Sequence, residues 1–465
     1  MTPPRSAGYV TDVPYARNFI REQAPAWLDH VALIGGFAPP DRRDSFSWCD
    51  LGCGQGVTAA LLASTHPTGS FQGIDVMPVH IRFARDLAAA ASISNVSFDA
   101  LDFDQAADLD FAGFDYIVSH GVYSWVSERS RQSWLRFIDR HLKPGGLVYV
   151  SYNAMPGRAA DLPFQRLVRE LGLTLSGNSV EQVAGAIDFV RLMTAGLKVP
   201  ALVASPFAMA LQEHNDRYSS SYLAHELMNG DWEPLCVTDV RGAMADIGLK
   251  PAGSATLIDN HDSFILGKTA RELLATIPDR DVRELTRDYL IDQFFRRDVF
   301  IRNVMPLSSD AQRSRLMESA FFLSRPAGSV EYSMKTPAGK LSFDNAAARH
   351  IVTSLDAGPR RLSDIVCPSI PEQDLIANIL VLGAASAVWP VESSRASTAA
   401  LNTGILSRVG TAGEIDYIGL PFGTAFPVRG DLLLRIKNRE NPESDPLAGW
   451  LQSLIEPTEV VSDAV

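Results

Sequence analysis

Four residues inside "SWCDLGCGQGVTAALLA", residues 47 to 63, have the types and spacing for ligand chemistry: Asp50, Gly52, Gly54 and Gly56. An acid that closes an apolar run, followed by glycine at every second position, predicts a strand, a tight turn and a helix opening at Val57. Glycines there let a ligand approach the backbone where a Cβ would block it. The N–H groups of the helix start can receive a polar or anionic group. Two further acids follow in order. Asp75 closes the next strand-like run, "SFQGID", 19 residues beyond Gly56, where a carboxylate can accept both hydroxyls of a ribose. Asp102 and Phe103 follow the third run, "VSFDA", and offer a carboxylate and an apolar face to an adenine. Taken alone, Asp102 reads equally well as a solvated loop acid.

The spacing separates two nucleotide classes. A dinucleotide fingerprint is GxGxxG, whereas this turn reads DxGxGxG, and the charge on Asp50 would repel a pyrophosphate but suit an ammonium. S-adenosylmethionine satisfies all three acids: its methionine end at Asp50 and the glycines, its ribose at Asp75, its adenine at Asp102 and Phe103.

These residues need a parallel sheet to bring them to one edge, and residues 45 to 153 supply the pattern. Apolar strands near Trp48 and at 71–74, 96–98, 116–119 and 147–151 alternate with helical periodicity, which argues for a Rossmann-like α/β sheet covered on both faces. From about 160 to 305 the strand signal fades. Ser179 and Gln182 read as a capping box before an apolar face of Val180, Val183, Ile187 and Val190, and "ELTRDYLIDQFFRRDVFIR" reads as helix around an aromatic core stripe. After 323–332, short helices at 346–355 and 372–382 precede a β-rich "AVWPVES" and a Gly/Pro-rich tail, an order suited to a small winged-helix-like domain. The expected division is a cofactor-binding domain with an N-terminal cap segment at 1–160, a helical middle domain at 161–325 and a C-terminal domain at 326–465.

A chain of 465 residues exceeds one ordinary core, in keeping with several domains. Its 42 Lys/Arg against 54 Asp/Glu leave a net charge of −12, which disfavours nucleic acid or an anionic membrane as partner and suits a cationic one. The segment from 331 onward repeats that balance, with 11 basic against 16 acidic residues, the wrong sign for duplex binding. The N-terminal stretch shows no apolar core of a secretory signal. The longest apolar run, Ile379 to Val391, is too short to span a bilayer, so a cytoplasmic location is expected. Cys49, Cys53, Cys236 and Cys367 lack zinc-site spacing and are expected to be structural thiols, with no metal called for. The oligomeric state stays open, a homodimer included.

The glycine turn and three acids, in order between residues 48 and 153, resemble the class I methyltransferase fold. "YVTDVPY" (9–15), "FDYIVSHGVYSWVSE" (114–128), "YVSYNAMPGR" (149–158), "SSYLAHELMN" (220–229) and "FFRRDVFIR" (294–302) narrow the likeness. They resemble bacterial methyltransferases with a methyltransferase regulatory domain, a group that includes outer-membrane-protein lysine methyltransferases. The likeness is strongest before residue 160 and loosest after 330. Ser127 stands where that group would carry proline, and Arg158 where it tends to an aromatic residue, both beside the expected acceptor pocket. The resemblance implies methyl transfer from S-adenosylmethionine, first to protein lysine side chains. A small metabolite, lipid or sugar is the alternative acceptor, and a non-catalytic cofactor-sensing protein the alternative class.

Transfer from a sulfonium asks the enzyme chiefly for alignment, worth roughly 7–11 kcal/mol. A lysine acceptor adds a demand: with a pKa near 10.4, its neutral amine costs about 4–5 kcal/mol at pH 7. Candidates to shape the acceptor site follow strands four and five: His120, Tyr123 and Trp125, then Tyr152 and Asn153. Tyr123 and Trp125 are alternate residues, so one of them is expected to pack. Tyr123, His120 and Asn153 are the expected catalytic set, with His120 also beside the cofactor, and Tyr9 and Tyr15 are expected to close over it. His225 and Glu226 read as a packing and surface pair.

Overall fold

Apolar runs bounded by turn residues become one seven-stranded sheet in the computed structural model, which describes residues 8–213, 218–411, 413–428, 430–438 and 446–455. Strands β1 (Phe46–Leu51), β2 (Gly69–Asp75), β3 (Val96–Ala100), β4 (Phe114–Ser119) and β5 (Leu142–Asn153) run parallel. Two later strands complete the sheet: β7 (Phe295–Arg302) lies antiparallel beside β5, and β6 (Leu249–Ser254) antiparallel beside β7. The order is β3-β2-β1-β4-β5-β7-β6. Strand order reverses between β1 and β4, and such sheets bind ligands outside the carboxyl ends at that point.

Helices α1 (Pro25–Ile34), α2 (Val57–Thr65), α3 (Pro78–Ala90), α4 (Phe103–Asp108) and α5 (Glu128–His141) cover the two faces. Proline opens α1 and α3, where no N–H is missed. Alternate residues of the central strands serve opposite cores. Trp48, Tyr116 and Tyr149 pack with α1 and α2, while Cys49, Ile117 and Val148 pack with Trp134 and Phe137 of α5.

Between β5 and β6 the chain inserts a helical layer. Its α6 (Leu162–Leu173), α7 (Ser179–Gly196) and α8 (Ser220–Met228) share a separate core that includes Val168, Val183, Ile187 and Leu227. Asn178, one residue before the predicted cap, starts α7, with Glu181 closing the box. Helices α9 (Val237–Asp246) and α10 (Arg280–Ile291) flank β6 and precede β7.

The division at 160 is corrected by this topology, because β6 and β7 belong to the main sheet. The run expected as a single helix is α10 followed by β7. Its charges concealed the strand: Arg296 and Asp298 are buried, paired at 3.0 Å, and the Tyr152 hydroxyl donates to Asp298 at 2.7 Å. Charges that neutralise each other can occupy a core that sequence patterning assigns to apolar residues.

Farther on, Ala320–Leu323 is the central strand of a three-stranded antiparallel sheet with Arg360–Arg361 and Val388–Val391, packed with helices Ala346–Leu355 and Glu372–Ala384. The boundary at 326 therefore falls inside a core. The tail from Ala399 leaves that core: Leu401, Ile405, Ile418, Leu420 and Phe422 bury themselves in the main one with Leu61 of α2. Among the described residues, no helix is long and apolar enough to cross a membrane, and no group of three His, Cys, Asp or Glu could hold a metal ion. All four cysteines are free thiols.

Candidate active site

The carboxyl ends of β1, β4 and β5 open into a cavity of about 320 Å³. Asp50 near the end of β1, Gly52 and Gly54 in the turn after it, His120 after β4, Asn153 at the end of β5 and Tyr15 of the N-terminal segment all line it. Asp50 is only 4% exposed and its Oδ1 has no hydrogen-bond partner. Burial, reinforced by the Asp75 carboxylate, pushes its pKa up to about 8. Gly54 (φ 53°) has open space where a Cβ would stand, so the cavity wall carries no side chain there.

Gly56 serves another purpose. It lies outside the cavity wall, and a Cβ there would come within 2.5 Å of Ala84 and 2.6 Å of Phe98, so this glycine lets α3 and β3 close on the turn. Asp75 also stays out of the wall. One of its oxygens accepts from the Gly54 N–H at 2.9 Å, the other from the Met77 N–H at 2.8 Å and lies 3.1 Å from His80 Nδ1. His80 Nε2 in turn accepts from the Tyr15 N–H at 3.1 Å, so this carboxylate fastens the glycine turn and the N-terminal segment together. Asp102 caps α4 in a capping box with Gln105, and Phe103 packs against the α5-side core. Tyr9 sits 5.8 Å from the His225 ring and close enough to Asp75 to feel its charge, without lining the cavity.

Tyr123 and Trp125 divide as alternate residues should, but the other way round. Trp125 lines the cavity, while Tyr123 is buried 5.0 Å from the Trp134 ring and borders a separate groove. His120 has its Nδ1 2.7 Å from the Tyr149 hydroxyl and 3.2 Å from Ser151 Oγ. Burial, aided by Arg297, lowers its pKa to about 4, so the imidazole is neutral at pH 7. The Asn153 Oδ1 accepts from Arg158 Nε at 3.2 Å, which brings Arg158 onto the wall; Ser127 turns away to cap α5.

The opposite wall was not anticipated. Tyr222 and Glu226 of α8 and Phe295 and Arg297 of β7 line the same cavity. Glu226 is therefore no surface acid. Burial raises its pKa to about 7, against the pull of Arg158 and a hydrogen bond with Tyr222. Its neighbour His225 does pack: Nε2 donates to the Val13 carbonyl at 2.9 Å and its ring meets Tyr15 edge-on at 4.9 Å. The apolar periodicity of α8 holds no mark of which polar residue it turns inward.

Residues 43–196 match the model of a methyltransferase domain, and residues 219–302 that of a predicted methyltransferase regulatory domain. An uncharacterized protein of Synechocystis sp. is 30% identical over 454 residues, covering 95% of this chain and 90% of its own length. The chain belongs to the class I methyltransferases that carry this regulatory domain. PKMT2 from Rickettsia typhi in complex with AdoHcy has the same fold, with a TM-score of 0.69 at 18% identity over 97% of this chain and 94% of that one. Trans-aconitate 2-methyltransferase from Azoarcus sp. is 27% identical over 58% of this chain and 91% of its own length.

The methyltransferase uses S-adenosylmethionine as methyl donor, and its cavity fits the methionine end of that cofactor. The unpartnered Asp50 Oδ1 could hold an ammonium, and Arg297, whose Nε is buried without a partner, a carboxylate. The regulatory stretch spans α8 to β7, so it supplies Tyr222, Glu226, Phe295 and Arg297 to the enzyme's own cavity.

Proposed function

We propose that this methyltransferase is a cytoplasmic enzyme that methylates lysine side chains of a protein. The observation that carries the reading is the acidic approach to an aromatic cavity. Trp125, on the cavity wall, stacks at 5.7 Å on Trp232, which lines a groove of about 660 Å³. Glu128, Asp231, Glu233 and Asp239 line that groove, with Arg131 as counter-charge. Rings in the cavity and carboxylates outside it suit an alkylammonium that arrives with basic neighbours.

In this reading Asp50 and Arg297 hold the cofactor over the glycine turn, and its sulfonium supplies an electrophilic methyl group. The N-terminal segment covers it. That segment is tied down by the Tyr15 N–H on His80, by Gln55 on the Tyr15 carbonyl, and by the Ile20 N–H on Thr58 at 3.0 Å. His120, kept neutral, lines the cavity without repelling a cationic acceptor. Trp125, Tyr222 and Phe295 restrict the acceptor's alkyl chain, and restricting orientation is most of what this reaction needs.

A second reading has an observation of its own: Arg158 and Arg297 both line the cavity and could receive a carboxylate acceptor of small size, as the likeness to trans-aconitate 2-methyltransferase would allow. One experiment separates the two. Incubation with methyl-labelled cofactor and a bacterial lysate, followed by acid hydrolysis of the protein fraction, should give labelled methyl-lysine. Label that leaves as methanol in mild base, or stays with small molecules, would sink the lysine reading.

A further inference from the structure

We infer that Glu226, brought to the cavity by the regulatory stretch, is the base that takes the proton from the acceptor's ammonium. The inference rests on the lysine reading above. An alkylammonium cannot attack a methyl carbon until it loses a proton, and a positioned group of suitable basicity can speed such a step by roughly 10²–10⁴.

The geometry leaves few candidates. Sharing the cavity with Glu226 are Asp50 of β1, Cys53 of the glycine turn, His120 after β4, Arg158 after β5, Arg297 of β7, Tyr15 of the N-terminal segment and Tyr222 of its own helix. The arginines have no basic lone pair at neutral pH. Burial drives both tyrosines and the Cys53 thiol above their ordinary range, so they keep their protons. His120 has lost basicity and already engages Tyr149 and Ser151. Asp50 lies near the end of β1, just before the glycine turn and on the cofactor's side. Glu226 shares the cavity wall with the rings of Tyr222, Phe295 and Trp125, and Arg158 is near enough to keep part of its population ionised at pH 7.

The step moves one proton and no electrons. Ammonium and carboxylate become amine and carboxylic acid, the nitrogen lone pair is freed for bond formation, and Glu226 returns its proton to water before the next turnover.

The test uses the full chain, methyl-labelled cofactor at saturation and the proteins of a dialysed bacterial lysate as acceptor, with labelled methyl-lysine counted. At pH 7, Glu226→Gln should lower the single-turnover rate by about 100-fold. That deficit should shrink as pH rises to 9, because the free-amine fraction of lysine climbs about tenfold per pH unit below 10.4. Calorimetric affinity for S-adenosylhomocysteine should stay within about twofold, and Glu226→Asp, which keeps a carboxylate should the amide variant fail to fold, should recover part of the rate. A deficit that does not change with pH, or a rate at pH 7 within twofold of wild type, overturns the inference while leaving lysine methylation standing. Label found only as base-labile methyl ester overturns the lysine reading and the inference together.

Discussion

The two walls of the cavity are built differently. The β1 wall takes Asp50, Gly52 and Gly54 from five consecutive residues, and its glycines act by carrying no side chain. The facing wall takes Tyr222 and Glu226 from one helix and Phe295 and Arg297 from a strand about seventy residues later, and side chains do all of its work. A cofactor common to a family can be held by a short motif at a sheet edge. An acceptor that varies between enzymes is more readily met by side chains on an inserted layer, which can change without disturbing the sheet. If this contrast holds, substitutions on the first wall should act on cofactor affinity and those on the second, Arg297 apart, on turnover.

Asp50→Asn tests the first half with the largest effect. Removing the buried carboxylate proposed to meet the cofactor's ammonium should cost about 3–4 kcal/mol of affinity for S-adenosylhomocysteine, read by calorimetry. The pH dependence carries the same assignment. With its folded pKa raised to about 8, well above the ordinary value of 3.8, Asp50 holds a proton between those values that the unfolded chain has released. Its contribution to stability is therefore present below pH 4 and lost as pH rises through 8. Thermal melts of the empty enzyme should fall less steeply from pH 5 to 8 in Asp50→Asn than in wild type. Ligand affinity should rise with pH toward 8 in wild type and stay flat in the variant.

Asp75→Ala should have the next largest effect, and a mixed one. Its carboxylate ties the Gly54 and Met77 amides and His80, so its loss should lower stability by about 2–3 kcal/mol and weaken cofactor binding through a loosened turn. Loss of affinity without any drop in melting temperature would mean that Asp75 meets the ligand directly and that the first wall reaches farther than the cavity shows.

On the acceptor's side, after β4, Trp125→Ala should slow single-turnover methylation by about 10- to 30-fold at saturating cofactor, while affinity for S-adenosylhomocysteine changes less than threefold. The opposite pattern would erase the contrast between walls.

What was readable beforehand follows the same line. The glycine turn, the parallel strands and the cofactor class are local patterns, each fixed within some ten residues by steric need or strand periodicity. β7 was missed because Arg296 and Asp298 cancel each other's charge inside the sheet, which no hydropathy pattern can register. Glu226 was missed because the orientation of α8 is set by its packing on α6 and α7, elements some fifty residues upstream. Gly56 was assigned to a ligand when its neighbours are Ala84 and Phe98, contacts that need the tertiary structure to be seen.

The smallest effect is expected at Tyr123, a member of the expected catalytic set. Tyr123 and Trp125 follow β4 two residues apart, so parity demands that only one face the cavity, and composition cannot choose between two aromatic rings. The structure chooses by packing: the Trp125 N–H closes a turn on the Val122 carbonyl at 2.8 Å, which swings Trp125 inward and presses Tyr123 onto Trp134. Burial then holds the Tyr123 hydroxyl protonated, its pKa pushed up to about 12, beside Arg131 and away from the cavity. Tyr123→Phe should therefore leave the single-turnover rate within about twofold, roughly 0.4 kcal/mol of barrier. The ring and its contact with Trp134 persist in the variant, so the melting temperature should hardly move. A tenfold slower rate with unchanged cofactor affinity would show that the groove bordered by Tyr123 belongs to the reacting site. It would also move the division between the walls one residue pair outward.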